Sequence, residues 1–263
     1  MYNFCFSTYG FIINSYCGFL MRYLITFSYD GTNFNGYHRQ GGLRTVQEEM
    51  EKALKVINGG KDTIINSSGR TDKGVHALCQ KAHVDISVKI TSYKLTRAMN
   101  SNLPSDIHVI KTEVVDNIFH ARYMVKEKEY QYILNMGEYN PCMRNLVYQY
   151  CKKLDIDKMK EAIKYFIGTH NYKSFTPNKD KRENYIRTIN YANIKEKDNI
   201  VTFIFRGNGF IKYQIRNMVG FLIRVGEGKK KGEDIPKILA SEDRKMASIT
   251  AHPEGLYLTN VKY

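Results

Sequence analysis

The 263-residue sequence has no C-x-x-C pair and no two histidines at zinc-ligand spacing. Its five cysteines, Cys5, Cys17, Cys79, Cys142 and Cys151, are an odd number at irregular intervals. A disulfide framework and a structural metal are therefore not expected, and the pattern suits a reducing cytoplasm. No apolar run is long enough to cross a bilayer. Residues 1–20 come nearest, but Asn3, Ser7, Asn14 and Ser15 interrupt them. They also lack a basic n-region and an A-x-A cleavage site, which excludes an ordinary signal peptide. A strand pattern starts at once after Met21, so Met21 is the expected start and residues 1–20 an upstream misread or a dispensable tail. No repeat at a short period occurs.

Acidic residues are also scarce: 26 Asp and Glu face 40 Lys and Arg, leaving a net charge of +14. An excess of that size points to a polyanion, because phosphate contacts supply affinity through counterion release. No long basic amphipathic helix is present to lie on a membrane. Twenty Tyr and thirteen Phe suit stacking on unpaired bases, although most single aromatics in such a chain are core. With 43% apolar residues, the chain can bury a core as one large domain or two small ones.

Strand and helix patterns interleave in both halves. Tyr23, Ile25, Phe27 and Tyr29 alternate along a strand from Arg22 to Tyr29. Asp30 to Asn33 reads as a turn. Thr45 and Glu48 form the signature of a capping box before a helix carrying Val46, Met50, Ala53, Leu54 and Ile57. A strand from Leu78 to Ile86 is expected to bury Leu78, Ala82, Val84 and Ile86. A short helix near Ser92 to Asn100 and a strand from Ile107 to Val115 follow. The second series comprises a strand from Glu127 to Asn135, a helix from Asp157 to Ile167, a strand from Val201 to Phe205 and a helix from Ile211 to Val225. The class is α+β or α/β, divided near residue 125. Residues 168–189 are long for a connector; their basic and aromatic residues, Arg182, Arg187, Tyr172 and Phe175 among them, fit a mobile RNA-gripping loop or a plain surface loop.

The most informative stretch is Ser67-Ser68-Gly69-Arg70-Thr71-Asp72-Lys73-Gly74-Val75-His76-Ala77-Leu78. It sets Asp72 between two cations and brackets it with two glycines. Flanking cations are expected to hold the carboxylate ionised, ready to act as base or nucleophile. Arg70-Thr71-Asp72 alone describes a β-turn with a solvated Asp; twelve ordered residues say more. The stretch resembles the G-R-T-D-x-G-V-H-A motif of the A-type tRNA pseudouridine synthases at every defined position.

The resemblance runs along nearly the whole chain from Met21. Tyr29 to Gly36 looks like Y-D-G-T-x-F-x-G, and Val46-Gln47 opens the first helix as in the family. Asn102-Leu103-Pro104 and Phe119-His120-Ala121-Arg122 match N-L-P and F-H-A-R. Lys128-Glu129-Tyr130 stands where the family has a basic residue and an active-site Tyr. Gly207-Asn208-Gly209-Phe210, Arg216-Asn217-Met218-Val219-Gly220 and Gly255-Leu256-Tyr257-Leu258 match three later segments. Departures are modest: Tyr37-His38 replaces the usual Trp-Gln, and Gln214-Ile215 the usual Met-Val.

The resemblance implies a pseudouridine synthase fold: two α/β domains sharing a continuous central mixed sheet, with a cleft between them. Residues 21–125 would form the catalytic N-terminal domain and residues 126–263 the C-terminal one. It implies a cytoplasmic homodimer that isomerises uridines of the tRNA anticodon stem-loop, at about positions 38 to 40, with no cofactor and no metal. Asp72 is the implied essential carboxylate, attacking covalently or taking the 2′ proton to give a glycal. Tyr130 would stack on the uracil and assist loss of the C5 proton, Arg216 would pair with Asp72, and Arg70 would hold the flipped nucleotide or fill the space it vacates. His76 is expected to serve the loop's structure. The same chemistry on another RNA, or tRNA binding without chemistry, are the alternatives.

Overall fold

Tyr23, Ile25, Phe27 and Tyr29 are all buried in the first strand, β1 (Met21–Tyr29), and so are Leu24 and Thr26 between them, so this strand is covered on both faces. The computed structural model describes residues 20–180, 182–247 and 249–263. The expected tail, residues 1–20, lies outside these apart from Leu20.

After β1 come helix α1 (Val46–Ile57), the short strand β2 (Asn66–Ser67), strand β3 (His76–Ile86), helix α2 (Ser92–Asn102) and strand β4 (Ile107–Val114). The second half supplies β5 (Glu127–Asn135), β6 (Tyr148–Gln149), α3 (Ile156–Ile163), β7 (Gly168–Asn171), β8 (Ile186–Lys197) and β9 (Ile200–Gly207). It ends with α4 (Gln214–Gly226), α5 (Ile235–Ser241) and β10 (Leu256–Lys262).

The strands form one open ten-stranded sheet in the order β4-β1-β3-β10-β5-β9-β8-β7, with β2 beside β3 and β6 beside β5. Most pairs are antiparallel, but β10–β3 and β5–β6 are parallel, so the sheet is mixed and the class is α+β. The last strand joins the halves: Leu258 of β10 pairs with Ala77 of β3 on one side and Tyr130 of β5 on the other. That pairing brings the segment after the Asp72 loop next to the strand of Tyr130.

Helix α4 starts at Gln214 and not at the expected Ile211, because Tyr213 stands at φ +60° before it; Ile211 ahead of the helix and Ile215, Met218, Leu222 and Val225 within it are all buried. Gly220 leaves a gap in side-chain bulk along that helix, and backbone fills it. A Cβ there would lie 2.1 Å from the Ile249 carbonyl oxygen.

Four further local expectations need correcting. Thr45 precedes α1 as its N-cap, but its hydroxyl is buried without a hydrogen-bond partner, and Glu48 pairs with Lys52 instead of closing a box. Leu78 is 55% exposed, beside a register irregularity between Phe27 and Tyr29 that breaks the strand's regular alternation. The α3 helix ends at Ile163 and tightens into a 3-10 turn over Lys164–Phe166 before Gly168. Residues 168–189 are not one long loop: β7 pairs with β8, and Tyr172 and Phe175 are fully buried. Their rings pack on neighbouring aromatics, Phe175 against Phe166 and Phe221, because burial of such area outweighs any use on the surface.

Among the described residues no helix is long and apolar enough to cross a membrane, and no cluster of His, Cys, Asp and Glu has metal-binding geometry.

Candidate active site

The Asp72 loop links β2 to β3 and rests on the Tyr29–Gly36 segment. Tyr29 and Thr71 share a hydroxyl–hydroxyl hydrogen bond of 2.8 Å, and the Tyr37 N–H donates to the Thr71 carbonyl at 3.1 Å. Gly36, at φ +90°, lies against the loop so closely that a Cβ would sit 2.9 Å from the Thr71 oxygen. The loop closes on itself through Val75 N–H to the Asp72 carbonyl at 3.2 Å. The two widely separated opening motifs are therefore two sides of one packed unit.

His76 is buried at the loop's exit, stacks on Tyr257 with ring centroids 4.6 Å apart, and accepts the Gly31 N–H on Nδ1 at 3.0 Å. Burial lowers its pKa, which favours the neutral ring. It ties the loop to the turn after β1, as expected.

Asp72 meets its partners across the chain rather than along it. Its carboxylate lies 3.8 Å from Arg216 Nη1, with the two side chains 21% and 13% exposed respectively. Arg216 is held from behind: its Nε donates to the Ala251 carbonyl at 2.8 Å, and the Ala251 N–H returns a bond of 2.9 Å to the Arg216 carbonyl. The next residue, Asn217, is fully buried, donates to the Phe175 carbonyl, and accepts from Thr250 and Arg244. The R-N-x-V-G segment thus has three tasks: Arg216 faces the carboxylate, Asn217 secures Arg244 and Thr250, and Gly220 admits Ile249.

The electrostatics differ from the reading of the loop in isolation. Arg70 and Lys73 are both exposed, and the charges acting on Asp72 are those of Arg216 and Lys212, with the Tyr213 N–H as a hydrogen-bond donor. Burial outweighs all three and raises the carboxyl from 3.8 to about 6. At neutral pH it is still about nine-tenths ionised. The poised carboxylate is therefore a desolvated one, and its cations come from α4 and the residues just before it.

Tyr130 is 7% exposed in β5, edge-to-face with Phe210 at 5.3 Å between ring centroids. Burial, with Tyr29 and the charge of Asp72 adding to it, raises its phenol well above the ordinary range, so the hydroxyl is neutral at pH 7. Asp72, Tyr130 and Arg216 are thus brought together from three separate segments. Arg70 is not part of this group.

Sequence reasoning missed Tyr213. It precedes α4 in the left-handed region, at φ +60°, and turns its N–H toward Asp72 while its ring lies 4.9 Å from the Arg216 guanidinium carbon. No residue-type pattern signals a non-glycine at positive φ, so only coordinates reveal it. A cleft of about 380 Å³ opens on the Tyr213 and Arg216 side of this group, lined also by Lys73, Gly74 and Pro253 among others, with Asp72 and Tyr130 outside its lining.

Comparison with known proteins identifies the family. A family model described as tRNA pseudouridine synthase matches residues 25–124 and 162–263. The tRNA pseudouridine synthase A of Limosilactobacillus reuteri (strain DSM 20016) is 41% identical over 249 residues, covering 93% of this chain and 97% of the relative. That of Streptococcus pneumoniae serotype 19F (strain G54) is 42% identical over 247 residues, covering 93% and 99%. The two ranges matched by the family model contain Asp72 and Arg216, whereas Tyr130 lies between them. On this evidence the chain belongs to the tRNA pseudouridine synthase family.

Proposed function

We propose that the protein isomerises uridine to pseudouridine in the anticodon stem-loop of tRNA, at about positions 38 to 40. The observation that carries this reading is the 3.8 Å approach of Arg216 to Asp72 beside a nucleoside-sized cleft, with Tyr130 close enough to feel the carboxylate's charge. The reaction breaks N1–C1′, turns the base, and forms C5–C1′. C5 loses a proton and N1 gains one, so atoms balance without a cofactor or metal.

Asp72 is the essential carboxylate. Covalent attack and removal of the 2′ proton to give a glycal both use its ionised oxygen, and Arg216 holds that oxygen in one place. Tyr130 stacks on the uracil, and its hydroxyl assists loss of the C5 proton, which is balanced by the proton gained at N1. The target base leaves its stem to reach this cleft, and the exposed Arg70 holds the displaced nucleotide or fills the gap. The net charge of +14 supports a polyanionic substrate.

The working division of the chain is a catalytic domain of residues 21–125 and a second domain of residues 126–263, with residues 1–20 dispensable. The protein acts in the cytoplasm as a homodimer, one tRNA touching both subunits, which a solution mass measurement tests. Pseudouridine mapping in cellular RNA with and without the gene tests the substrate. The proposal expects loss at about positions 38 to 40 of several tRNAs. Loss confined to ribosomal or other RNA favours the same chemistry on a different substrate, and no loss anywhere favours a tRNA-binding protein without catalysis.

A further inference from the structure

The entry to the Asp72 loop is bonded from both halves of the chain. From the first half, Ser67 Oγ and Gln80 Nε2 both donate to the Gly69 carbonyl at 3.0 Å, and Ser68 Oγ donates to Gln80 Oε1 at 2.7 Å. The Ser68 N–H donates to the Lys81 carbonyl at 2.7 Å, which ties the turn to β3. From the second half comes a single donor: Lys128 Nζ, on β5, reaches the Ser68 carbonyl at 2.6 Å.

Gly69 makes room for that contact. A Cβ there would lie 2.6 Å from Lys128 Nζ and 3.6 Å from its Cε, so any side chain at this position displaces the ammonium. Gly69 does not have a positive φ, so the close approach of Lys128, and not an unusual backbone angle, is what excludes a Cβ.

The ammonium has no acid beside it. Glu127 pairs with Lys262 at 2.8 Å and Glu129 with Arg206 at 2.6 Å, and among the described residues the Ser68 carbonyl is the hydrogen-bond partner of Lys128. Half-buried, it is brought from 10.5 down to about 8, chiefly by desolvation. A partly desolvated cation without a carboxylate works against stability, so its bond to the loop has a use beyond holding the fold.

Alternation along β5 puts Lys128 and Tyr130 on the same face, opposite Gly207 and Phe205 of β9. The strand lies inside the sheet, between β10 and β9, and cannot swing. One face of one strand thus carries both the tyrosine of the site and the ammonium bonded to the loop of the carboxylate. Arg216 meets that loop at Asp72; Lys128 meets it at its entry.

We propose that Lys128 is a positioning residue that fixes the strand of Tyr130 against the Asp72 loop, so that phenol and carboxylate meet the target uridine in register. This rests on the reading of the protein as a pseudouridine synthase and adds a residue that acts through Tyr130 without touching the reacting atoms. A misplacement of about 1 Å at a reacting group costs about 100-fold in rate, so the contact is felt in turnover and not in RNA affinity.

The test pairs Lys128→Met, which keeps the stem and removes the donor, with Gly69→Ala, which keeps the lysine and pushes its ammonium away. Single-turnover isomerisation of an unmodified tRNA transcript, RNA-binding titrations, thermal melts and hydrogen exchange over residues 68–72 are measured on each. Each variant is expected to lose about 10- to 100-fold in rate at saturating enzyme, with Kd for RNA within about threefold of wild type. The double variant should be no slower than the slower single one, because both break the same contact. In a Tyr130→Phe background Lys128→Met should cost less than about twofold, since the oxygen it positions is gone. Lower melting temperatures with unchanged rates, or losses that simply add, would make Lys128 a stabilising residue and overturn the proposal. Weaker RNA binding with a smaller salt slope and an unchanged rate would overturn it too, because that pattern belongs to a phosphate contact. Exchange of the loop amides should quicken in both variants, and this reads the clamp without any chemistry: unaltered exchange contradicts it, whereas quickened exchange in a protein whose wild type forms no pseudouridine counts against the enzyme reading alone. Gly69→Ala carries the test should Lys128→Met fold poorly.

Discussion

Arg216 reaches to 3.8 Å from the Asp72 carboxylate while its Nε is fixed on the Ala251 carbonyl at 2.8 Å. The cation that partners the carboxylate is thus positioned by a backbone segment 35 residues further along the chain. The pairing is loose enough that burial still raises Asp72 to about 6.

The pH profile follows from this pair. Asp72 must be ionised to act, so kcat/KM should rise as pH increases through about 6 and then level off. Arg216→Gln removes a charge that lowers the carboxyl, and its acid limb should move up by about one unit. Rate profiles on an unmodified tRNA transcript measure both; an unmoved limb in the variant contradicts the pairing.

Stability should move in the opposite direction to activity at position 72. The folded-state pKa, about 6, is above the ordinary 3.8, so the native protein holds this proton more tightly than the unfolded chain does. Ionisation therefore lowers stability fully above about pH 6, and the penalty fades as pH falls toward 3.8. Asp72→Asn should stabilise the protein by about 1 to 3 kcal/mol near neutral pH, with the gain vanishing in acid. Denaturant titrations at two pH values check the sign.

Tyr130 contributes a ring and an oxygen, which one substitution separates. Tyr130→Phe keeps the edge contact with Phe210 and should bind stem-loop RNA within about threefold of wild type. Its turnover should fall about 100- to 10,000-fold through loss of the hydroxyl that assists C5 proton loss. Single-turnover rates at saturating enzyme, beside binding titrations, distinguish this from a purely packing role.

Gly220 links helix packing to the site. Gly220→Ala places a Cβ 2.1 Å from the Ile249 oxygen and forces apart the segment that carries Ala251. Stability should drop by about 1 to 3 kcal/mol, and the shifted Arg216 should cost about 100-fold in rate. Thermal melts and initial rates test the two effects separately.

Legibility divided along the range of the interactions involved. The β5 span was readable because burial alternates along it, whereas β1 was readable from its aromatic and aliphatic alternation although both of its faces are covered. The α4 stripe was readable likewise, at helical spacing. The state of Asp72 was not readable. Its sequence neighbours Arg70 and Lys73 turn outward, and the forces on it come from burial and from Arg216 and Lys212. Tyr172 and Phe175 looked like loop aromatics because nothing local shows that Phe166 and Phe221 close over them. The strained backbone of Tyr213 follows from how the preceding segment meets α4, a tertiary fact.

The most direct measurement is pseudouridine formed by purified wild type and by Asp72→Asn on an unmodified tRNA transcript, with RNA binding and folding checked in parallel. The expected result is rapid product from the wild type, none above background from a variant that folds and still binds the transcript. Product from the variant at the wild-type rate would show that the oxygen at position 72 does no chemistry and would contradict the account.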